Sequence, residues 1–161
     1  MELRYPTEEL FPSFHRALDA VAREEVYIEM IEARPLSETA EFQRKIIANN
    51  WPAYYVLDGG AVVGWADVVP PGNPRLAHRG FLGMGLLPSH RGRGIGTALL
   101  SKTLDHARRI GLEKVELSVY SHNAVAIWLY RKCGFTDVGV IRRYRKLRDR
   151  DFDCLEMELF L

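Results

Sequence analysis

The sequence predicts a mixed α/β domain over residues 1–161, and three observations lead there. Seven short runs have the composition or the period-two alternation of strands. Four longer stretches place apolar residues at helical spacing. Gly, Pro, Asn and Asp punctuate them, with no repeat, low-complexity tract or linker between. A chain of 161 residues has the length of one ordinary domain and can bury a real core.

Residues 2–5 read as a short first strand. Residues 7–33 are mostly helical in pattern, with a break near Arg23. Ser37 is placed to cap a second helix running to Asn49, which Asn50-Trp51-Pro52 stops because proline cannot continue a helix. Residues 53–57 and 61–69 are β-rich and joined by Asp58-Gly59-Gly60, whose residues accept the positive φ of a tight hairpin. A proline-rich loop follows at 70–74, then a strand at 78–87. Its glycines Gly80, Gly83 and Gly85 imply a bulge or close approach of another group.

Residues 95–110 carry Ile95, Leu99, Leu100, Leu104, Ala107 and Ile110 at helical spacing, with Gly111 to end the helix. In residues 114–120, Val115, Leu117 and Val119 alternate with Lys114, Glu116 and Ser118. Asn123 is a good N-cap for a helix to Lys132, apolar all round and so expected to be buried on more than one side. Residues 136–144 and 154–161 are the last strands, with the charged hairpin Arg148-Asp149-Arg150-Asp151 between them.

Charge and composition narrow the function. Lys plus Arg number 22 against 21 Asp plus Glu, a net charge of +1, so no global field draws the chain to nucleic acid or a membrane. Residues 1–9 lack an apolar signal core, and the longest apolar run, 124–130, is too short to span a bilayer. A cytoplasmic location is expected. Cys133 and Cys154 are expected as free thiols, and no Cys/His cluster has metal-ligand spacing.

The sharpest motif is Arg91-Gly92-Arg93-Gly94-Ile95-Gly96-Thr97, between the end of a strand and the start of a helix. Successive N–H groups in such a turn point into one concavity, and the helix N-terminus adds partial positive charge. Glycine lets a phosphate approach the backbone, and Arg91 and Arg93 add charged donors. A nucleoside-triphosphatase loop would require Gly-Lys-Ser/Thr, whereas Thr97 follows Gly96 directly. A helix-capping glycine turn with nothing bound is the bland alternative.

Arg91-x-x-Gly94-x-Gly96, after Met84-Gly85-Leu86-Leu87-Pro88, resembles the acetyl-CoA signature of the GCN5-related N-acetyltransferase superfamily. Residues 123–135, Asn-Ala-Val-Ala-Ile-Trp-Leu-Tyr-Arg-Lys-Cys-Gly-Phe, resemble that family's second signature at the expected distance. The resemblance implies a mostly antiparallel sheet of about seven strands, splayed where coenzyme A lies, with about four helices. It implies acetyl transfer from acetyl-CoA to an amine of a small molecule or protein, with homodimers common and no metal. Met84, Leu86 and Leu87 would line the pantetheine channel. Residues Arg91, Gly92, Arg93, Gly94, Ile95, Gly96 and Thr97 would hold the pyrophosphate. Asn123 would bond the pantetheine arm or a nearby water, and Tyr130 would face the thioester sulfur as general acid.

The departure from the family pattern is at the base. Many members carry Glu or Asp on the strand before the turn, and residues 80–85 have neither. His78, at the head of that strand, is the first expectation for a base; Asp67 and His122 are others. A water-mediated route is a further alternative. The missing carboxylate also leaves open a non-catalytic acyl-CoA-binding or sensing module. Residues 142–150 are densely basic, either a solvated hairpin or a recruiting surface for an acidic acceptor.

Overall fold

The computed structural model describes residues 1–161. Its strands are β1 (Glu2–Arg4), β2 (Ala53–Asp58), β3 (Ala61–Val69), β4 (Arg79–Leu86), β5 (Lys114–Tyr120), β6 (Thr136–Leu147) and β7 (Arg150–Phe160). Its helices are α1 (Phe11–Ala22), α2 (Leu36–Ala48), α3 (Ile95–Arg109) and α4 (Ala124–Lys132). The strands form one sheet in the order β1-β2-β3-β4-β5-β7-β6. Every neighbouring pair is antiparallel except β4 and β5, which α3 joins in parallel. The mixed α/β architecture expected from the sequence is the one observed.

Side-chain alternation distributes the helices over the sheet. Tyr55, Leu57 and Trp65 pack with Phe14, Leu18 and Val21 of α1. Their neighbours Tyr54, Val56 and Ala66 pack with Ile95 and Leu99 of α3. Consecutive strand residues point to opposite faces, so α1 and α3 cover opposite sides. Helix α4 joins the α3 side, where Ile127 and Tyr130 cluster with Leu100, Leu104, Val115 and Leu117. On the α1 side, the Tyr55 hydroxyl donates to Gln43 Oε1 of α2 at 2.6 Å; that bond satisfies two buried polar groups.

The turns expected from glycine are present. Gly59 and Gly60 both have positive φ, 57° and 81°, between β2 and β3. Asn123 caps α4, its Oδ1 accepting the Ala126 N–H at 3.2 Å.

Three expectations need correction, and a fourth is met in one of its two forms. Helix α1 ends at Ala22, and residues 23–35 are irregular rather than helical, because their backbone groups are engaged from outside the segment. Asp19 Oδ1 accepts the Ala33 N–H, and side chains of His122 and Arg145 hold carbonyls of Val26, Glu25 and Glu29. Helix α2 begins at Leu36 after Pro35, and Ser37 does not cap it. Strand β4 contains no bulge, since its register with β3 is unbroken from Phe81 to Leu86. Its glycines instead admit neighbours: a Cβ would lie 2.5 Å from Val68 Cγ1 at Gly80 and 2.4 Å from the Trp65 ring at Gly85. Finally, α4 is not buried all round, for Val125 is 74% and Trp128 62% exposed.

One irregularity sets up the rest of the molecule. Strands β4 and β5 pair only from Arg79 with Lys114 to Phe81 with Glu116. Beyond that, β4 continues against β3 as far as Leu86, and β5 against β7 as far as Tyr120. The two strands therefore diverge, each satisfied on its outer edge and open on its inner one.

Candidate active site

The phase of the ladders tells which backbone groups face the opening. The Leu87 N–H donates to Val63 O at 2.9 Å, which makes Leu87 and Val63 a hydrogen-bonded pair. Such pairs alternate along an antiparallel ladder, so Leu82, Met84 and Leu86 turn their backbone groups away from β3 and toward β5. On the other wall, the Ser121 N–H donates to Asp153 O at 3.0 Å, and Ser118 and Tyr120 turn theirs toward β4. Between the walls lies a cavity of about 650 Å³, lined mainly by apolar side chains. It is bounded by both strands, by the start of α4 and by the 23–35 loop.

The turn between β4 and α3 stands at one end of this wedge. Gly92 and Gly94 have positive φ, 70° and 76°, and a Cβ on either would meet nothing within 4 Å. The N–H groups of residues 92–97 donate to no acceptor within the chain, the first α3 bond being Ala98 N–H to Gly94 O. Six consecutive free amides at a helix N-terminus form a strong anion receptor. Gly96 is needed for packing as well, since a Cβ there would stand 3.1 Å from Leu129 Cδ2 of α4.

The two arginines of the turn part company. Arg91 is gripped by Glu24 through two bonds of 2.8 and 2.5 Å, donates from Nε to Leu86 O at 2.9 Å, and lies 4.7 Å from the centroid of the Tyr27 ring. The Glu24 carboxylate raises its pKa further. Arg91 thus ties the turn to the 23–35 loop, while Arg93 is exposed and has no ion-pair partner.

Tyr130 lies on α4 with its ring buried against Phe135 and part of its surface on the cavity. Burial pushes its phenol above the usual range, so it holds its proton at neutral pH. Met84, Leu86 and Asn123 also line the cavity. Leu87, whose N–H is committed to β3, packs with core clusters on both sheet faces and does not line it.

His78 is not brought into this constellation. It is exposed at the paired end of β4, where its carbonyl accepts the Glu113 N–H at 2.7 Å. Six residues of strand separate it from Met84, about 20 Å at the usual rise. His122 does line the cavity, stacked on Tyr120 at 5.8 Å, with Nε2 donating to Val26 O at 3.0 Å. Cys154 lines it too, its thiol pushed up to about 12 chiefly by burial; Cys133 is also free.

The basic stretch holds a segment more than a hundred residues away. Arg145 donates to Glu29 O at 2.9 Å and Glu25 O at 3.4 Å, with its guanidinium over the Tyr120 and Phe152 rings. Arg148 pairs with Glu25 at 2.5 Å, and the Tyr144 hydroxyl donates to Glu29, which raises the phenol's pKa. The hairpin clamps the acidic 23–35 loop along the flank of the cavity. The available signal was opposite charge: Glu24, Glu25, Glu29 and Glu32 in one segment, Arg142 to Arg150 in the other. No group of three His, Cys, Asp or Glu is placed to hold a metal ion, and no helix is long and apolar enough to cross a membrane.

Comparison with known proteins matches residues 14–135 to the model of the acetyltransferase (GNAT) family. A mycothiol acetyltransferase of Geodermatophilus obscurus is 38% identical over 120 residues, 70% of this chain and 39% of that protein. The chain thus spans well under half the length of that relative. The N-alpha-acetyltransferase RimI of Mycobacterium tuberculosis is 35% identical over 112 residues, 70% of this chain and 69% of that one. The crystal structure of a phosphinothricin acetyltransferase from Sinorhizobium meliloti in complex with AcCoA has a TM-score of 0.93. It covers 99% of this chain and 88% of its own at 23% identity, a likeness of fold.

The clamp gives a direct expectation. Arg145→Ala removes both loop-carbonyl bonds together, so amide hydrogen exchange across residues 25–31 should accelerate several-fold while the β2–β3 amides keep their protection. Unchanged exchange in the loop would show that Arg145 does not hold it.

Proposed function

The chain belongs to the GNAT acetyltransferase family, and on that premise we propose that it moves an acetyl group from acetyl-CoA to an amine by direct attack on the thioester. The observation that carries the reading is the wedge itself: open backbone edges on β4 and β5, leading to six unpartnered amides at the start of α3. The fit to coenzyme A is chemical. Residues 92–97 offer donors to a pyrophosphate, and Arg93 adds a free charge. Met84 presents its backbone N–H and carbonyl to the amide-bearing pantetheine arm along a mainly apolar cavity, while the Leu86 carbonyl is held by Arg91. The bound co-substrate supplies the activated acetyl group.

The chain's own residues then supply position and protons. The Leu86 N–H, turned into the wedge, is placed to stabilise negative charge developing on the acyl oxygen. Tyr130 holds a phenolic proton for the departing thiolate. The accepting amine, with pKa near ~10.4, costs ~4 kcal/mol to present neutral at pH 7.4, so a proton acceptor near the wedge matters. The clamped 23–35 loop and the β6–β7 hairpin bound the side from which an amine of a small molecule or protein would enter. Two free cysteines suit a reducing cytoplasm. A non-catalytic acyl-CoA sensor keeps support from one observation, the lack of a carboxylate between Gly80 and Gly85.

Three measurements check this. Wild-type protein given acetyl-CoA and a panel of amines should release free thiol with at least one; binding without release across a broad panel would favour the sensor. Gly94→Glu puts a strained left-handed residue and a negative charge into the amide cradle, and calorimetry on the folded variant should show acetyl-CoA affinity largely lost. Unaltered affinity would move the co-substrate elsewhere. Tyr130→Phe should lower kcat by roughly 100- to 10,000-fold with little change in acetyl-CoA affinity. A fall below threefold would remove Tyr130 from the chemistry.

A further inference from the structure

The β4 segment that lacks a carboxylate faces one across the ladder. Asp67 of β3 is the register partner of Gly83, and a Cβ on Gly83 would stand 3.5 Å from Asp67 Oδ1. The carboxylate therefore lies beside the bare backbone of Gly83, and Gly83 is exposed and lines the cavity. Asp67 sits on the same sheet face as Trp65 and Tyr55, the α1 side, opposite the face on which α3 and α4 pack.

Asp67 is one of two acids near the cavity without a committed partner; the other is Glu156 of β7, whose Oε1 is buried and unpartnered beside the Cys154 thiol. Around the cavity, Glu24 is bound to Arg91, Glu25 to Arg148 and Glu29 to the Tyr144 hydroxyl. Asp67 is only partly exposed, and burial is the one influence on its carboxyl, with no hydrogen bond or ion pair beside it. Among histidines on the cavity, His122 has Nε2 committed to Val26 O.

We propose that Asp67 is the proton acceptor for the incoming amine, acting through a water held over Gly83. The inference rests on the acetyl-transfer reading above. The step balances without any further reagent. The amine proton passes to the water and a water proton passes to the Asp67 carboxylate. That first proton leaves a neutral nitrogen, whose lone pair forms the N–C bond as the C–S bond breaks and the sulfur takes its proton from Tyr130. The second nitrogen proton, made acidic by the new bond, returns through water to the Tyr130 phenolate, and Asp67 releases its proton to solvent. A glycine at position 83 is then functional: it leaves the passage between carboxylate and cavity open.

The surroundings suit this task. Burial alone raises the Asp67 carboxyl to about 7, where it can take a proton at neutral pH and return it. The groups that face it are few. From β2 comes Tyr55, the titratable group whose pKa it helps raise, and whose hydroxyl is engaged by Gln43 of α2. From β4 come Phe81, Gly83 and Gly85 on the same face, and α1 turns Phe14, Leu18 and Val21 toward the sheet; none of these carries charge. No cation offsets the burial of the carboxylate.

The test is the pH dependence of kcat/KM for the amine, with saturating acetyl-CoA, in wild type, Asp67→Asn and Asp67→Glu. Wild type should rise through about pH 7 and then level. Asp67→Asn, nearly isosteric, should bind acetyl-CoA normally, lose about 100-fold or more in kcat/KM and lose the inflection, climbing instead toward the amine's own pKa. Asp67→Glu should retain an inflection. A merely structural residue would change the rate without moving the profile. Asp67→Asn activity within threefold of wild type, or an inflection that survives in Asp67→Asn and vanishes in His122→Ala, would overturn the assignment. No thiol release by the wild type counts against acetyl transfer itself, so the two failures are distinct.

Discussion

Two strands of this sheet have only one neighbour each over half their length. Strand β4 is paired with β3 and β5 with β7, so neither can turn to satisfy the other once they part after Phe81 and Glu116. A buried backbone donor or acceptor left alone costs about 1–3 kcal/mol, which makes an open inner edge a standing demand for water or for a ligand with amide groups. The turn of residues 88–94 and the N-terminus of α3 extend the same demand by six amides. The α3 and α4 packing through Gly96, the placement of Tyr130 and the clamp on the 23–35 loop are all arranged around this gap.

What could be read from the sequence was what local chemistry decides. The hairpin at Gly59-Gly60, the alternation of β5, the apolar stripe of α3 and the Asn123 cap each depend on residues a few positions apart, and each is present. The glycine turn of residues 91–97 belongs with them, because a turn between strand and helix is a local object. Residues 23–33 do not form the expected helix because their backbone partners, Arg145 and His122, lie about a hundred residues away in sequence. The exposure of Val125 and Trp128 was hidden for a related reason: an apolar residue reports its preference, and only tertiary packing decides whether a neighbour exists to cover it.

His78 and Asp67 show the limit of strand arithmetic. His78 immediately precedes β4, which runs from Arg79 to Leu86. Parity says nothing about which end of a strand borders an opening, and β4 opens at the other one. Asp67 could be named from sequence only as a nearby acid. Its position against Gly83 follows from a β3–β4 register that no motif encodes. The glycines of β4 admit close neighbours at two places, Val68 at Gly80 and the Trp65 ring at Gly85, while Gly83 leaves its backbone in ordinary contact with Asp67.

Arg91 holds both edges of the site at once. One guanidinium binds the Leu86 carbonyl at the mouth of the turn and the Glu24 carboxylate at the root of the 23–35 loop. A displacement of either segment is therefore felt by the other through a single shared group. Thermodynamic reciprocity makes that influence symmetrical: whatever occupancy of the turn does to the free energy of the loop, occupancy beside the loop does equally to the turn. The order in which two ligands arrive can alter the path through this linkage, but not its magnitude.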